Sequence, residues 1–204
     1  MKASRIYLAS RSPRRRELLQ QIGIAFESLL LREDLRRGAD FDEAPVAGES
    51  PVDYVHRVAR AKAEAGWCRI ANRRLPPHPV LAADTTVVLD GALIGKPADA
   101  RCAQQILQHL SGRTHQVMTA VAVAREARVE SALSISAVEF RVLTDGEIRR
   151  YVASGEPLDK AGAYAIQGRA AVFVRTISGS YSGIMGLPLF ETAELLGRFD
   201  AAPK

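Results

Sequence analysis

Along the chain, short apolar runs alternate with amphipathic stretches, the pattern of strands and helices taken in turn. Residues 6–9 read as a short buried strand. Ser12, Pro13 and then Glu17, Leu18 and Leu19 predict a helix over 13–21, with Ser12 as its cap and the proline in its first turn. A second apolar run, 26–31, precedes a polar segment from Arg32 to Glu49 that is placed to close over a site. Ser50, Pro51 and Asp53 then form a helix start of the Ser-x-x-acid kind, and Tyr54, Val55, Val58, Ala59 and Lys62 follow at helical spacing. After a proline-rich connection over 72–79 comes VLAADTTVVLDGALIGKP, residues 80–97. Its apolar positions read either as one long buried strand or as two strands, 80–83 and 86–89, joined at a kink. Asp90 and Gly91 give a hairpin turn leading to Leu93 and Ile94. A helix over 99–110, strands over 115–125 and 129–141, a Thr144/Glu147 capping box for a helix to Val152, and a last amphipathic helix over 188–197 complete an α/β pattern.

Composition narrows the class. A chain of 204 residues with 47% hydrophobic and 25% charged content is long enough to bury one sizeable core, and it reads as a single domain, 1–204, with two lobes. No apolar stretch approaches the ~20 residues of a membrane span, and the run after Lys2 and Arg5 is too short for a secretory core. Cys68 and Cys102 are far apart and belong to no CxxC or Cys/His grouping, which points away from a disulfide framework or structural zinc and towards a reducing cytoplasm. The net charge of +5 fits an anionic ligand and fits nucleic acid equally well, so charge alone does not choose.

Three places carry candidate chemistry. In IYLASRSPRRRELL, residues 6–19, a helix N-terminus stands beside Ser10, Arg14 and Arg15, which makes a phosphate-binding corner or, alternatively, a capped surface helix with solvated arginines. Asp84 interrupts an apolar strand. A buried unpaired carboxylate costs on the order of several kcal/mol, so it needs a metal, a cation such as Lys96, or a catalytic reason, unless it ends a strand and bonds its own turn. Residues 155–189 concentrate glycines with Asp159, Lys160, Tyr164, Gln167, Arg175, Ser178, Ser180 and Ser182, and read as a binding loop. Gln167 offers the donor and acceptor that reading a nucleobase edge requires, whereas Asp159 and Lys160 read as a simple ion pair. His115, at the start of a strand, reads as a structural hydrogen-bonding residue.

Over nearly its whole length the sequence resembles the Maf family of nucleoside triphosphate pyrophosphatases. The segments that carry the likeness are LASRSPRRRELL, SPVDYVHRVARAKA, AADTTVVLDGALIGKPADA, LSGRTHQVMTAVAV, EPLDKAGAYAIQG and SGSYSGIMGLPL. The form of DKAGAYAIQG is similar to the branch acting on dTTP and UTP, not the one acting on 7-methyl-GTP. The resemblance implies a Maf-like (ITPase-like) α/β fold, an extended mixed sheet with two lobes flanking a deep groove. It implies Asp84 as general base, Arg14, Thr85 and Gln167 at positions of substrate choice, Lys62 and Lys96 in the same cleft, and Ser10 and Arg15 in the phosphate motif. An acidic contact to metal or water falls at Asp34, with Glu33 beside it. It further implies a divalent cation, Mg²⁺ or Mn²⁺, a homodimer, and no role for a membrane or nucleic acid in the reaction. The competing class is a nucleotide- or nucleic-acid-binding regulator without hydrolysis, since the family is also associated with septum formation and cell-division arrest.

Overall fold

The computed structural model describes residues 5–32 and 39–203. Within them the chain runs β1 (Arg5–Leu8), α1 (Pro13–Gln21), β2 (Ala25–Ser28), α2 (Pro51–Asn72), β3 (Val80–Leu89), β4 (Ala92–Ile94), α3 (Ala100–Leu110), β5 (Thr114–Arg125), β6 (Arg128–Phe140), α4 (Asp145–Ala153), β7 (Val174–Ser178), α5 (Tyr181–Ile184) and α6 (Leu189–Gly197). The strands form one mixed sheet in the order β2-β1-β3-β5-β6-β7, with β4 also paired to β3. The β1 strand is parallel to β2 and to β3, and every other pairing is antiparallel.

The central strand β3 is continuous. Its ladder with β5 runs unbroken from Val80 opposite Ala124 to Val88 opposite Gln116, so Asp84 and Thr85 sit in regular strand, without the kink their polarity allowed. The other edge of β3 is divided between two partners: β1 pairs only at Val80 and Leu81, and β4 only from Val87 to Leu89. Residues 82–86 therefore have no strand partner on that side among the described residues.

Alternation of side chains gives β3 two different faces. Val80, Ala82 and Val88 pack under α2 against Val55, Ala59 and Ala63. On the opposite face, Leu81 and Ala83 meet Leu18 and Leu19 of α1 and Leu195 and Leu196 of α6. Val87 and Leu89, further along that face, meet Leu107 and Leu110 of α3 and Ile148 and Val152 of α4. Two apolar clusters thus cover one face, and they part along the stretch of β3 that has no second strand partner among the described residues. Close approach of α2 depends on Gly66, where a Cβ would stand 2.7 Å from Val80 Cγ1.

The local signals behave as their chemistry demands, with one exception. Ser50 Oγ accepts from the Asp53 N–H at 3.1 Å, the Asp99 carboxylate caps α3, and the Thr144/Glu147 box closes the start of α4. Ser12 stands at the cap position of α1, but its side chain makes no capping bond, and its N–H instead donates to Ser10 Oγ at 3.2 Å. The run 26–31 leaves the sheet after Ser28, and Leu29 and Leu31 turn into the core beneath α2. Residues 155–189 hold more structure than a loop: three 3-10 turns, the edge strand β7 and the one-turn helix α5. Those pieces are too short to carry a period, and β7 exposes most of its side chains while pairing through its backbone with β6. His115 is structural, 1% exposed, with Nε2 2.8 Å from the Tyr164 hydroxyl, and burial pushes its imidazole down to about 4.

Candidate active site

A cleft of about 500 Å³ opens at the interrupted edge of β3. It collects Ser10, Arg14 and Arg15 from the β1–α1 turn and α1, Lys62 from α2, Asp84 and Thr85 from β3, Lys96 after β4, and Gln167 from the turn after α4. Residues scattered over the sequence meet because the strands that would have closed this edge stop short of it. Six basic side chains line the cleft against the three carboxylates of Glu43, Asp84 and Asp159, an excess of positive charge suited to a polyphosphate. A second depression, about 650 Å³, is lined by Arg32, Asp40, Cys68 and Arg69, but both arginines are tied to Asp40 and none of the candidate residues reaches it.

Asp84, 9% exposed, lies on the α2 face of β3, and this is what brings Lys62 to it. Lys62 Nζ donates to Asp84 Oδ1 at 2.7 Å and stands 2.5 Å from Glu43 Oε1. The ammonium compensates the buried charge that makes Asp84 costly, while Asp84 Oδ2 has no partner among the described residues. Burial pushes the Glu43 carboxyl up, but the charges of Lys62, Lys96 and Arg15 outweigh it and hold the group below its ordinary value. Tyr54, which lines the cleft from the first turn of α2, is pushed up to about 12 by burial and by the Asp84 and Glu43 charges, so it stays a neutral hydroxyl.

Thr85 faces the other side of the sheet, and its work there is set by proton counting. The Thr119 hydroxyl donates its only proton to the Gly183 carbonyl at 2.8 Å. Thr85 Oγ1, 2.9 Å from Thr119 Oγ1 and directly opposite it on the ladder, must therefore donate to Thr119, leaving its lone pairs to accept from Arg15 Nη2 at 3.2 Å. Arg15 is further fixed by Nε to the Gly186 carbonyl at 2.8 Å and by Nη1 to Ser10 Oγ at 3.3 Å. Arg14 lines the cleft with its Nε buried and without a hydrogen-bond partner. Lys96 and Gln167 are exposed to the opening. The Asp159–Lys160 pair forms as its sequence suggests and also borders the cleft.

Asp34, with Glu33, lies outside the described residues. Within them the acidic neighbour of Lys62 is Glu43, which the motif pattern does not mark because it is one of several acids in a polar stretch. Thr119 is equally unmarked, a threonine in a strand where threonine is ordinary. No group of three or more His, Cys, Asp or Glu side chains stands together among the described residues. The two carboxylates that converge on Lys62 nevertheless form an oxygen-only pair open to the cleft, a donor set that fits a hard divalent cation completed by phosphate and water oxygens. No described helix is long and apolar enough to cross a membrane.

Known proteins share both the sequence and the architecture. A protein of Aromatoleum aromaticum named dTTP/UTP pyrophosphatase is 62% identical over 96% of each chain. Proteins of the same name from Nitrosomonas europaea and Dechloromonas aromatica are 59% and 55% identical over 94% and 98% of this chain, and over 92% and 99% of their own. Among solved structures, a HAM1 protein from Coxiella burnetii superposes with a TM-score of 0.51 over 95% of this chain and 98% of its own at 16% identity, a likeness of fold. Residues 5–199 match the Maf-like protein family, and with such relatives along its whole length the chain belongs to that family.

Proposed function

We propose that this protein hydrolyses the α–β phosphoanhydride of dTTP and UTP, giving the nucleoside monophosphate and pyrophosphate. The observation that carries the reading is Asp84, a buried carboxylate held at one oxygen by Lys62 and open at the other, in a cleft rich in arginine and lysine. The names of the relatives support the same substrates. Water attacks the α-phosphorus as the bond to the bridging oxygen breaks, and Asp84 Oδ2 takes the proton of the attacking water. Lys62 keeps Oδ1 occupied and so orients the carboxylate. Arg15, immobilised by three acceptors, and Arg14 and Lys96 neutralise the triphosphate, with Ser10 in the same corner. Gln167 reads the pyrimidine edge, and Thr85 sets Arg15. Glu43 and Asp84 would hold Mg²⁺ or Mn²⁺, which when bound supplies Lewis-acid polarisation of the phosphate oxygens. The free thiols of Cys68 and Cys102 suit a reducing cytoplasm, and a homodimer belongs to the same proposal on family resemblance.

Pyrophosphate release from dTTP, UTP, CTP, dCTP, GTP, 7-methyl-GTP, ATP and 5-methyl-UTP tests the reading, with Asp84→Asn as the control. Preference for dTTP and UTP, reduced at least about a thousandfold in the folded variant, is expected. Turnover of none of these triphosphates, with tight binding to them or to polynucleotide, would replace the enzyme with a binding regulator.

A further inference from the structure

Gln167 sits at the centre of a stretch whose two ends are held by one hydrogen-bonded device outside the cleft, built on the buried Tyr151 and the partly buried Glu156. The Tyr151 hydroxyl, at the end of α4, accepts from the Ala165 N–H at 3.2 Å and donates to Glu156 Oε1 at 2.9 Å. Glu156 Oε2 accepts from the Arg169 N–H at 3.2 Å. The backbone on both sides of Gln167 is thereby tied to a single carboxylate. Gly168 lets that carboxylate come close, since a Cβ there would stand 2.3 Å from Glu156 Oε1. Tyr151 is 4% exposed and its ring packs edge-on against Phe173, so the hydroxyl cannot swing away to water.

We infer that Tyr151 and Glu156 are positioning residues for base selection: they fix the turn from which Gln167 reaches the nucleobase. The inference rests on the proposed reading of Gln167 as the group that reads the base. A primary amide is ambiguous by itself. Uracil and thymine present an N3–H donor beside an O4 acceptor, cytosine presents the reverse pair, and an amide turned by half a rotation serves either. Discrimination therefore depends on the amide approaching from one fixed place, which a loosened turn does not provide. Neither Tyr151 nor Glu156 lines the cleft, so their effect is transmitted through the backbone of 165–169.

The test compares Tyr151→Phe, Glu156→Gln and Gly168→Ala with Gln167→Ala and the natural protein, using kcat and KM for dTTP and dCTP. Each clamp variant is expected to lose about tenfold in dTTP-over-dCTP discrimination, through a higher KM for dTTP with kcat within about twofold. Amide hydrogen exchange supplies a readout independent of turnover: the Ala165 amide exchanges faster in Tyr151→Phe, and the Arg169 amide in Glu156→Gln, in proteins whose melting confirms folding. Natural discrimination in the clamp variants alongside its loss in Gln167→Ala would overturn the inference. Natural discrimination in Gln167→Ala would remove Gln167 as the reader and the clamp's purpose with it. Unchanged exchange at both amides would show that these bonds do not hold the turn.

Discussion

Replacing Lys62 by methionine removes the ammonium that bonds both Asp84 and Glu43 and leaves the packing of the stem. At 2.7 Å and an effective dielectric of ~20, the attraction between Lys62 and Asp84 is about 6 kcal/mol before desolvation. Both side chains are 12% exposed, so withdrawing them from water offsets much of that, while Glu43, at 45%, is screened and adds little. The variant is left with a buried carboxylate and no bonded counter-charge, a defect of about 3–5 kcal/mol when water is excluded. Because the cleft admits water, the loss is placed at the low end, about 3 kcal/mol at pH 8. The pH dependence has a definite sign. Lys62 holds the Glu43 carboxyl low, so its contribution is present above the ordinary carboxylate range and is lost as pH falls through the lowered value. Urea unfolding of both proteins at pH 8 and at about pH 3.5, below the ordinary 4.5 of Glu43, should therefore show a gap that narrows slightly with acid. Asp84→Asn added to Lys62→Met should recover most of the lost stability. Added Mg²⁺ should raise the melting temperature of Lys62→Met more than that of the natural protein, because its two carboxylates no longer compete with an ammonium. A loss below about 1 kcal/mol at pH 8 would refute the reasoning and make Lys62 a solvent-screened surface charge.

Burial holds His115 at about 4 against an ordinary 6.5, so the unfolded chain takes up a proton that the folded protein refuses as pH falls from about 6.5 to about 4. Stability should fall over that window by up to about 1.4 kcal/mol per pH unit from this group, and His115→Gln should remove that component of the slope in urea midpoints between pH 7 and pH 5. Thr119→Val deletes the donor to the Gly183 carbonyl and the acceptor of the Thr85 hydroxyl at a fully buried position, with an expected cost of about 1–3 kcal/mol. It also leaves the Thr85 hydroxyl proton without its acceptor and the hydroxyl free to turn from the orientation in which it accepts from Arg15, so KM for the triphosphate should rise by more than the lost stability explains. A natural KM in the folded variant would detach Thr119 from the site.

The elements were legible because their causes are local. The helix over 13–21 and the capped starts of α2, α3 and α4 follow from residues within one turn of each other, and the apolar runs on either side of Asp84 mark 80–89 as strand, although only the ladder with β5 decides between one strand and two. Ser10, Arg14, Arg15, Asp84, Lys96 and Gln167 stand out in the sequence as polar groups where packing alone does not call for one, whereas Lys62 and Thr85 are marked as site candidates by the family resemblance alone. Their meeting was not legible. It depends on β1 and β4 sharing one edge of β3 and leaving residues 82–86 between them, a property of strand order that no local period encodes. The same distance in sequence hides Glu43 on Lys62, Thr119 behind Thr85, and Tyr151 with Glu156 behind Gln167, because each is an ordinary residue of its own segment. The sequence by itself determined which segments become helix or strand and which groups bring charge. Tertiary structure decided which of those groups share a cleft and which side chains hold them still, because that depends on strand pairing and on the alternation of faces across the sheet.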